Sequence, residues 1–249
     1  MPLSINTNIA SLSAQRSFLN SNSALETAYE RLSSGKRINS AVDDAAGLAI
    51  GTDLTSRVSG LNQAVRNVND GISMLQITEG AYSEVTSILQ RMRDIAVQGA
   101  NDSLTATETA YLTTEHGKLI SALNSALGQA KFGSQSLVAT AGVAVTLHAG
   151  ADAGDTIAIT LSANTNADAT DLGLTLGAVG MTIGNTSAIT VIDGAMDKIA
   201  SHRASLGAQQ AQLESTVRNL SNVAQNTAAA AGRVMDTDYA AETANLTKA

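Results

Sequence analysis

Between Asp44 and Gln98 the apolar residues keep a spacing that few folds can absorb. Leu54, Val58, Leu61, Val65, Val68, Ile72 and Leu75 follow one another in alternating steps of four and three. Glu79 takes the next slot, and Tyr82, Val85, Leu89, Met92 and Ala96 carry the pattern on. Such spacing lays one apolar stripe along an α-helix, the seam of a coiled coil. No Pro interrupts it. A helix of this length runs roughly 80 Å at about 1.5 Å per residue. It cannot fold back on itself, so it needs a partner along much of its length.

The partner is expected near the other end of the chain. There Ile189, Ile192, Met196, Ile199, Leu206, Leu213, Val217, Leu220 and Ala224 repeat the rhythm, with Arg203 and Gln210 as polar layers. Polar seam residues fix register at some cost in stability. The expectation is a long antiparallel helical bundle or coiled coil, mainly α. The chain goes out along the first rod, turns through a β-hairpin region in its middle, and returns along the second. The seam is assigned to Leu54, Val58, Leu61, Val65, Val68, Ile72, Leu75, Ile199, Leu206, Leu213, Val217 and Leu220.

Composition narrows what such rods can do. Aromatic residues make up only 2% of the 249, so small aliphatic contacts must fill the helix interfaces. The net charge of −7 opposes a nucleic-acid binder, which needs a basic face. The absence of Cys excludes disulfides, thiolate metal sites and thiol nucleophiles. No apolar run reaches the roughly 18 residues of a membrane span. The first 30 residues show no basic segment followed by an apolar one. With no general secretory signal, the chain is expected in the cytoplasm unless a signal-independent export route carries it.

Elsewhere the punctuation is local. Residues 1–43 read as a thinner amphipathic segment and a turn. Ile5, Ile9 and Leu12 share one face, then Leu25, Tyr29 and Leu32 another; Pro2 suits a helix start and Gly35 a C-terminal cap. Asp43-Asp44 precedes the long rod, where carboxylates cap backbone N–H groups and suit the dipole; capping outweighs acid–base work there. Arg91 and Arg93 suit the opposite end of the dipole. Residues 44–136 form the outgoing rods. Within them Thr105-Ala106-Thr107-Glu108 is a capping box opening a second helix, with Leu112, Leu119, Leu123, Ala126 and Ala130 on its stripe. This helix should fold back on the first as an αα-hairpin. Residues 137–187 hold alternating runs at Val143, Val145, Leu147 and at Ile157, Ile159, Leu161 around a Gly/Asp-rich turn, a β-hairpin signature. Weaker strand signals lie at Leu172–Leu176 and Met181–Ile183. The return helix spans 188–235. Asp236 and Asp238 suggest a break before the last segment, 236–249.

No chemistry emerges. His116, His148 and His202 lie in three different elements and form no pair at metal spacing. Phosphate loops, dinucleotide fingerprints and nucleophile elbows are missing. Asp152 and Asp155 lack the spacing and terminal Glu of a calcium loop. No enzyme, cofactor or metal site is expected. Assembly is the stronger signal: heterologous contacts that do not close generate filaments. A self-contained helical bundle fits the same pattern.

Resemblance separates these readings. Arg31-Leu32-Ser33-Ser34-Gly35-Lys36-Arg37-Ile38-Asn39-Ser40-Ala41, then Asp43-Asp44-Ala45-Ala46-Gly47, resembles bacterial flagellin. The likeness extends back to Ile5-Asn6-Thr7-Asn8 and forward through Asn69-Asp70-Gly71-Ile72-Ser73 and Thr78-Glu79-Gly80-Ala81 to Gln90–Gln98. It returns at Gly150–Leu161, at Arg233–Tyr239 and at Asn245-Leu246-Thr247. It implies a structural subunit that polymerises with copies of itself into the extracellular flagellar filament for motility. It also implies export, unfolded, through the flagellar type III apparatus, which would explain the missing signal. The end segments would line an inner tube and the paired rods an outer one. Gln90, Arg91, Arg93, Asp94, Ile95 and Glu115 match positions by which some flagellins engage Toll-like receptor 5; the same face can pack against neighbouring subunits. Asp94 and Ile95 stand where Glu and Leu are common.

Flagellins usually continue past the position of Lys248 with an apolar helix that docks the export chaperone. On this reading the chain as given should assemble poorly and bind that chaperone weakly. A hook–filament junction protein has similar ends, but the match over Asn69–Gln98 favours the filament subunit. A flagellin-like surface protein that binds carbohydrate would want aromatics in the middle segment, which has neither Trp nor Tyr.

Overall fold

The computed structural model describes residues 8–138, 144–161, 183 and 186–248. The fold is mainly α: helices α1 (Ile9–Ser34), α2 (Ala45–Gly99), α3 (Ala106–Gln129), α4 (Thr186–Met235) and α5 (Tyr239–Lys248). The strands are β1 (Lys131–Phe132), β2 (Gln135–Ser136), β3 (Ala144–His148) and β4 (Thr156–Thr160), paired as two antiparallel hairpins. The chain forms two compact units, residues 1–61 with 222–249, and residues 62–221. The expectations for Pro2, Ile5, Val143, Leu172–Leu176 and Met181 fall outside the described residues.

In the first unit, Asn8 caps α1 by accepting from the Ser11 N–H at 3.2 Å. Gly35 ends the helix in the left-handed region at φ 69°, where a side chain would be strained, and its N–H reaches Arg31 O at 2.9 Å. The two carboxylates that follow divide their labour. Asp43 Oδ2 accepts from the N–H groups of Asn39 and Ser40 and from Ser40 Oγ. These bonds favour the ionised form and hold the Asp43 carboxyl below its ordinary pKa. Asp44 Oδ1 accepts from the Gly47 N–H at 2.9 Å and caps α2.

The break after α4 is tied to the turn after α1. Arg37 N donates to Met235 O, Thr237 N donates to Gly35 O, and Lys36 bridges Asp236. Asp238 Oδ1 then accepts from the Ala240 N–H and caps α5. That helix lies on the C-terminal half of α1. Tyr239 Oη donates to Leu32 O at 3.2 Å, and Glu242, 7% exposed, faces Arg31 at 3.9 Å.

In the second unit, α2 and α4 run antiparallel. Glu79 meets Arg203, Tyr82 stacks on His202 with ring centroids 5.8 Å apart, and Arg93 meets Asp193. As numbers rise along one helix they fall along the other. The buried column of α4 is Ile192, Ile199, Leu206, Leu213 and Leu220. On α2, Leu61, Val68, Leu75, Tyr82, Leu89 and Ala96 are buried at steps of seven.

In the first half of α2 the second buried column lies one residue from the position that hydrophobicity suggests, whereas from Val85 onward it falls where the pattern placed it. Ala64, Gly71, Thr78, Val85, Met92 and Gly99 are buried, whereas Leu54, Val58, Val65 and Ile72 are half-buried and Glu79 sits on the flank. Val217 on α4 is also half-buried. At Gly71 a small residue takes the inner position because another element comes close there. Leu147 of β3 packs against Gly71, where a Cβ would collide with its Cδ1. Thr78 is satisfied by donating to Met74 O at 2.9 Å.

The capping box of α3 is complete: Thr105 Oγ1 accepts from the Glu108 N–H, and Glu108 Oε2 accepts from the Thr105 N–H. The buried stripe is His116, Ile120, Leu123 and Leu127 with Ala130 beyond, so Leu112, Leu119 and Ala126 stand at its edge. In the larger hairpin Val145 pairs with Ile159 and Leu147 with Ile157. Asn67 Nδ2 donates to His148 O at 3.1 Å. Gln209 holds Thr160 at two points, accepting its N–H at 2.7 Å and donating to its C=O at 3.1 Å.

Candidate functional site

Two surfaces follow from these elements. The first lies on α2 near its C-terminal end. Arg91 Nη2 reaches Glu115 Oε1 of α3 at 2.6 Å, and Arg93 Nε reaches Asp193 Oδ1 of α4 at 2.7 Å. Two arginines on one helix thus reach to two different neighbours. Hydrogen bonding to Asp193, with its charge, raises the pKa of the Arg93 guanidinium further. Neither arginine serves the helix dipole as the sequence suggested; the last turn of α2 has no basic residue, and both are engaged by carboxylates instead. Each pair is about half exposed, so solvent screens it and it orders the surface more than it stabilises the fold.

Gln90 and Asp94 are exposed beside these pairs. Ile95 does not belong with them: it is 1% exposed and lies in the core. Its place in the sequence put it near the face, but the helical turn points it inward. Val97, 49% exposed, is the apolar residue that α2 shows to solvent there, and hydrophobicity alone did not mark it as exposed.

Beneath the surface the unit holds titratable groups with few partners. His116 is fully buried, neither ring nitrogen has a hydrogen-bond partner, and desolvation lowers its pKa. Burial, with help from the charge of Lys198, also lowers that of His202. The Tyr82 hydroxyl is buried without a partner and its pKa is pushed up to about 12. The three histidines sit on α3, β3 and α4. Among the described residues no group of three or more His, Asp or Glu side chains could hold a metal ion. No described helix is long and apolar enough to cross a membrane.

The second surface is the outer half of α1. Ile9 is 77% exposed, Leu12 57%, and Phe18 and Leu19 67% each. Ser11, Ala14, Gln15, Phe18 and Leu19 lie together along this open face. Toward the other end Ala28 is buried and Leu25 and Leu32 half-buried where α5 lies; Tyr29 is 57% exposed. The spacing of Ile9 and Leu12 puts them on one face, but spacing does not show that no described element covers it.

Helices that brace one another through a seam and ion pairs, while leaving large apolar side chains in solvent, are characteristic of structural subunits that assemble. Comparison with known proteins gives this class a family. Residues 5–142 match the bacterial flagellin N-terminal helical region and residues 189–249 the bacterial flagellin C-terminal helical region. The chain is 39% identical to a flagellin of Halalkalibacterium halodurans over 98% of this chain and 89% of that one. It is 34% identical to flagellin A of Vibrio cholerae over 100% of this chain and 93% of that one. The crystal structure of Bacillus cereus flagellin matches with TM-score 0.51 and 31% identity, over 67% of this chain and 94% of that one. The chain belongs to the bacterial flagellin family and is a structural subunit of the flagellar filament. A structure assigned as a flagellar hook-associated protein from Vibrio parahaemolyticus matches with TM-score 0.63 but 17% identity, which speaks to the fold alone.

Proposed function

We propose that this subunit polymerises by burying the outer half of α1 against neighbouring copies, and that it reaches the filament unfolded through the flagellar type III apparatus. The observation that supports the assembly reading is the exposure of Ile9, Leu12, Phe18 and Leu19 on one helix. Each such side chain gains roughly 1.5–3 kcal/mol on full burial, and nothing in the described chain covers them. The segments read as 1–43 and 236–249 would form the inner layer of the filament and the rods 44–136 and 188–235 the outer one. Residues 137–187 would carry the surface-facing part.

The face with Gln90, Arg91, Arg93, Asp94 and Glu115 serves a second role in this reading, as the contact for Toll-like receptor 5 or for an adjacent subunit. Its exposed polar side chains, already ordered by ion pairs, support that. Receptor signalling by the purified chain should drop at least tenfold with Arg91→Ala. An unchanged response with wild type and variant equally potent removes the receptor role. Export is tested by secretion of the chain from cells with and without a functional flagellar export gate; secretion without the gate rejects that route.

A further inference from the structure

The geometry points to Met235 as a modification site: a peroxide oxidises its thioether to the sulfoxide, and the added oxygen loosens the joint between the end of α4 and the turn after α1. The chain has six Met and no Cys, so thioethers are its most readily oxidised side chains. The site does not depend on how copies assemble.

Met235 is the last residue of α4, and the joint converges on it. Its carbonyl oxygen accepts from the Arg37 N–H at 2.6 Å. To either side, Arg37 Nη2 donates to Val234 O at 2.8 Å and Thr237 N donates to Gly35 O at 3.1 Å. The side chain anchors this stretch. Gly51 of α2 is buried and has no Cβ, and Met235 Cγ and Sδ crowd the place where one would stand. The thioether is thus wedged against the α2 backbone while its own backbone holds the turn.

The residue is 8% exposed, but it is not sealed in. It borders an open groove with Lys36, Thr55, Val58, Ala228 and Ala231. Lys36, Thr55 and Ala228 are exposed there, and Val58 and Ala231 are half-buried. Hydrogen peroxide is small enough to reach the sulfur by this route. The sulfur lone pair attacks one peroxide oxygen and the O–O bond breaks. The leaving hydroxide takes the proton of the transferred oxygen and departs as water. Sulfur is oxidised, the peroxide is reduced, and the side chain gains one oxygen atom.

The product cannot keep the seat. A sulfoxide is polar and chiral where the thioether was apolar and flexible. The Gly51 side has no room for another atom. Val58, Ala228 and Ala231 offer no side-chain donor, and the Thr55 hydroxyl already donates to Gly51 O at 2.7 Å. The donor left among these side chains is Lys36, which is exposed, so the sulfinyl oxygen is drawn outward into the groove. The carbonyl that the side chain anchored loses its support.

The test treats the full folded chain with hydrogen peroxide and maps the added oxygen by peptide mass spectrometry. Met74, 9% exposed, is the internal reference, because exposure alone makes the two residues equal. Met235 should oxidise at least tenfold faster than Met74; equal rates overturn the site. Amide hydrogen exchange, followed by NMR, reads the joint. In the oxidised chain the N–H groups of Arg37 and Thr237 should exchange at least tenfold faster. In Met235→Leu, a swap of nearly equal volume, peroxide should leave their exchange unchanged. Protection that survives oxidation of Met235 shows that the joint does not need the thioether and overturns the proposal. Equal loss of protection in Met235→Leu places the lesion at another Met and overturns it too.

Discussion

Gly71 and Asp44 each hold a position that another residue type could not fill at the same cost, whereas His116 buries two ring nitrogens that have no hydrogen-bond partner. At Gly71 the hairpin comes so close to α2 that Leu147 occupies the space of a Cβ. Gly71→Val should destabilise the second unit by about 1–3 kcal/mol through overpacking, read from chemical denaturation. Asp44→Ala removes the cap of α2 and should cost about 0.5–2 kcal/mol in the same assay. His116 is buried neutral, so its folded pKa lies below its unfolded one. The unfolded chain then binds a proton that the folded chain does not. Its contribution is fully present above pH 6.5 and is lost as pH falls below that value toward the folded pKa, at no more than about 1.4 kcal/mol per pH unit. His202 acts with the same sign. In His116→Leu the slope of stability against pH between 6.5 and 5 should flatten. A slope equal to wild type would show that His116 is not the titrating group.

At the scale of elements, much of the architecture was readable because it rests on periodicity and capping. The long helix α2, the box at Thr105 and Glu108, the glycine cap at Gly35 and the hairpin of β3 and β4 follow from local chemistry, whereas the register that pairs Val145 with Ile159 does not. The inner column of α2 did not. Ala64, Gly71 and Thr78 are small or polar, so a hydrophobicity pattern passes over them for Val65 and Ile72. Their burial is decided by what packs opposite, which a single helix does not encode. The same holds for His116 on the buried stripe of α3 and for Ile95, drawn inward from the face to which resemblance assigned it. The hairpin offers a further test. Gln209 imitates a strand partner for Thr160, donating and accepting at one residue. Gln209→Leu should leave α4 intact and speed amide hydrogen exchange at Thr160 at least tenfold, followed by NMR. Protection equal to wild type would mean that other contacts seat the hairpin.

For the whole molecule, the seam, the ion pairs and the caps account for a folded chain, and the exposed apolar residues account for what it does next. An acidic, Cys-free chain with few aromatics stabilises itself through many small helix contacts and leaves its larger side chains on α1 in water. That division links sequence to filament. It was only half legible beforehand: the resemblance named the polymer, but no pattern in the sequence shows which apolar faces remain uncovered in one chain. The most direct test is sedimentation velocity over a concentration series, comparing wild type with the Phe18→Glu/Leu19→Glu double variant. The account predicts that the wild-type chain shifts to larger species as concentration rises, whereas the variant stays monomeric with the same helical content. Equal association of the two at the same concentration would contradict it.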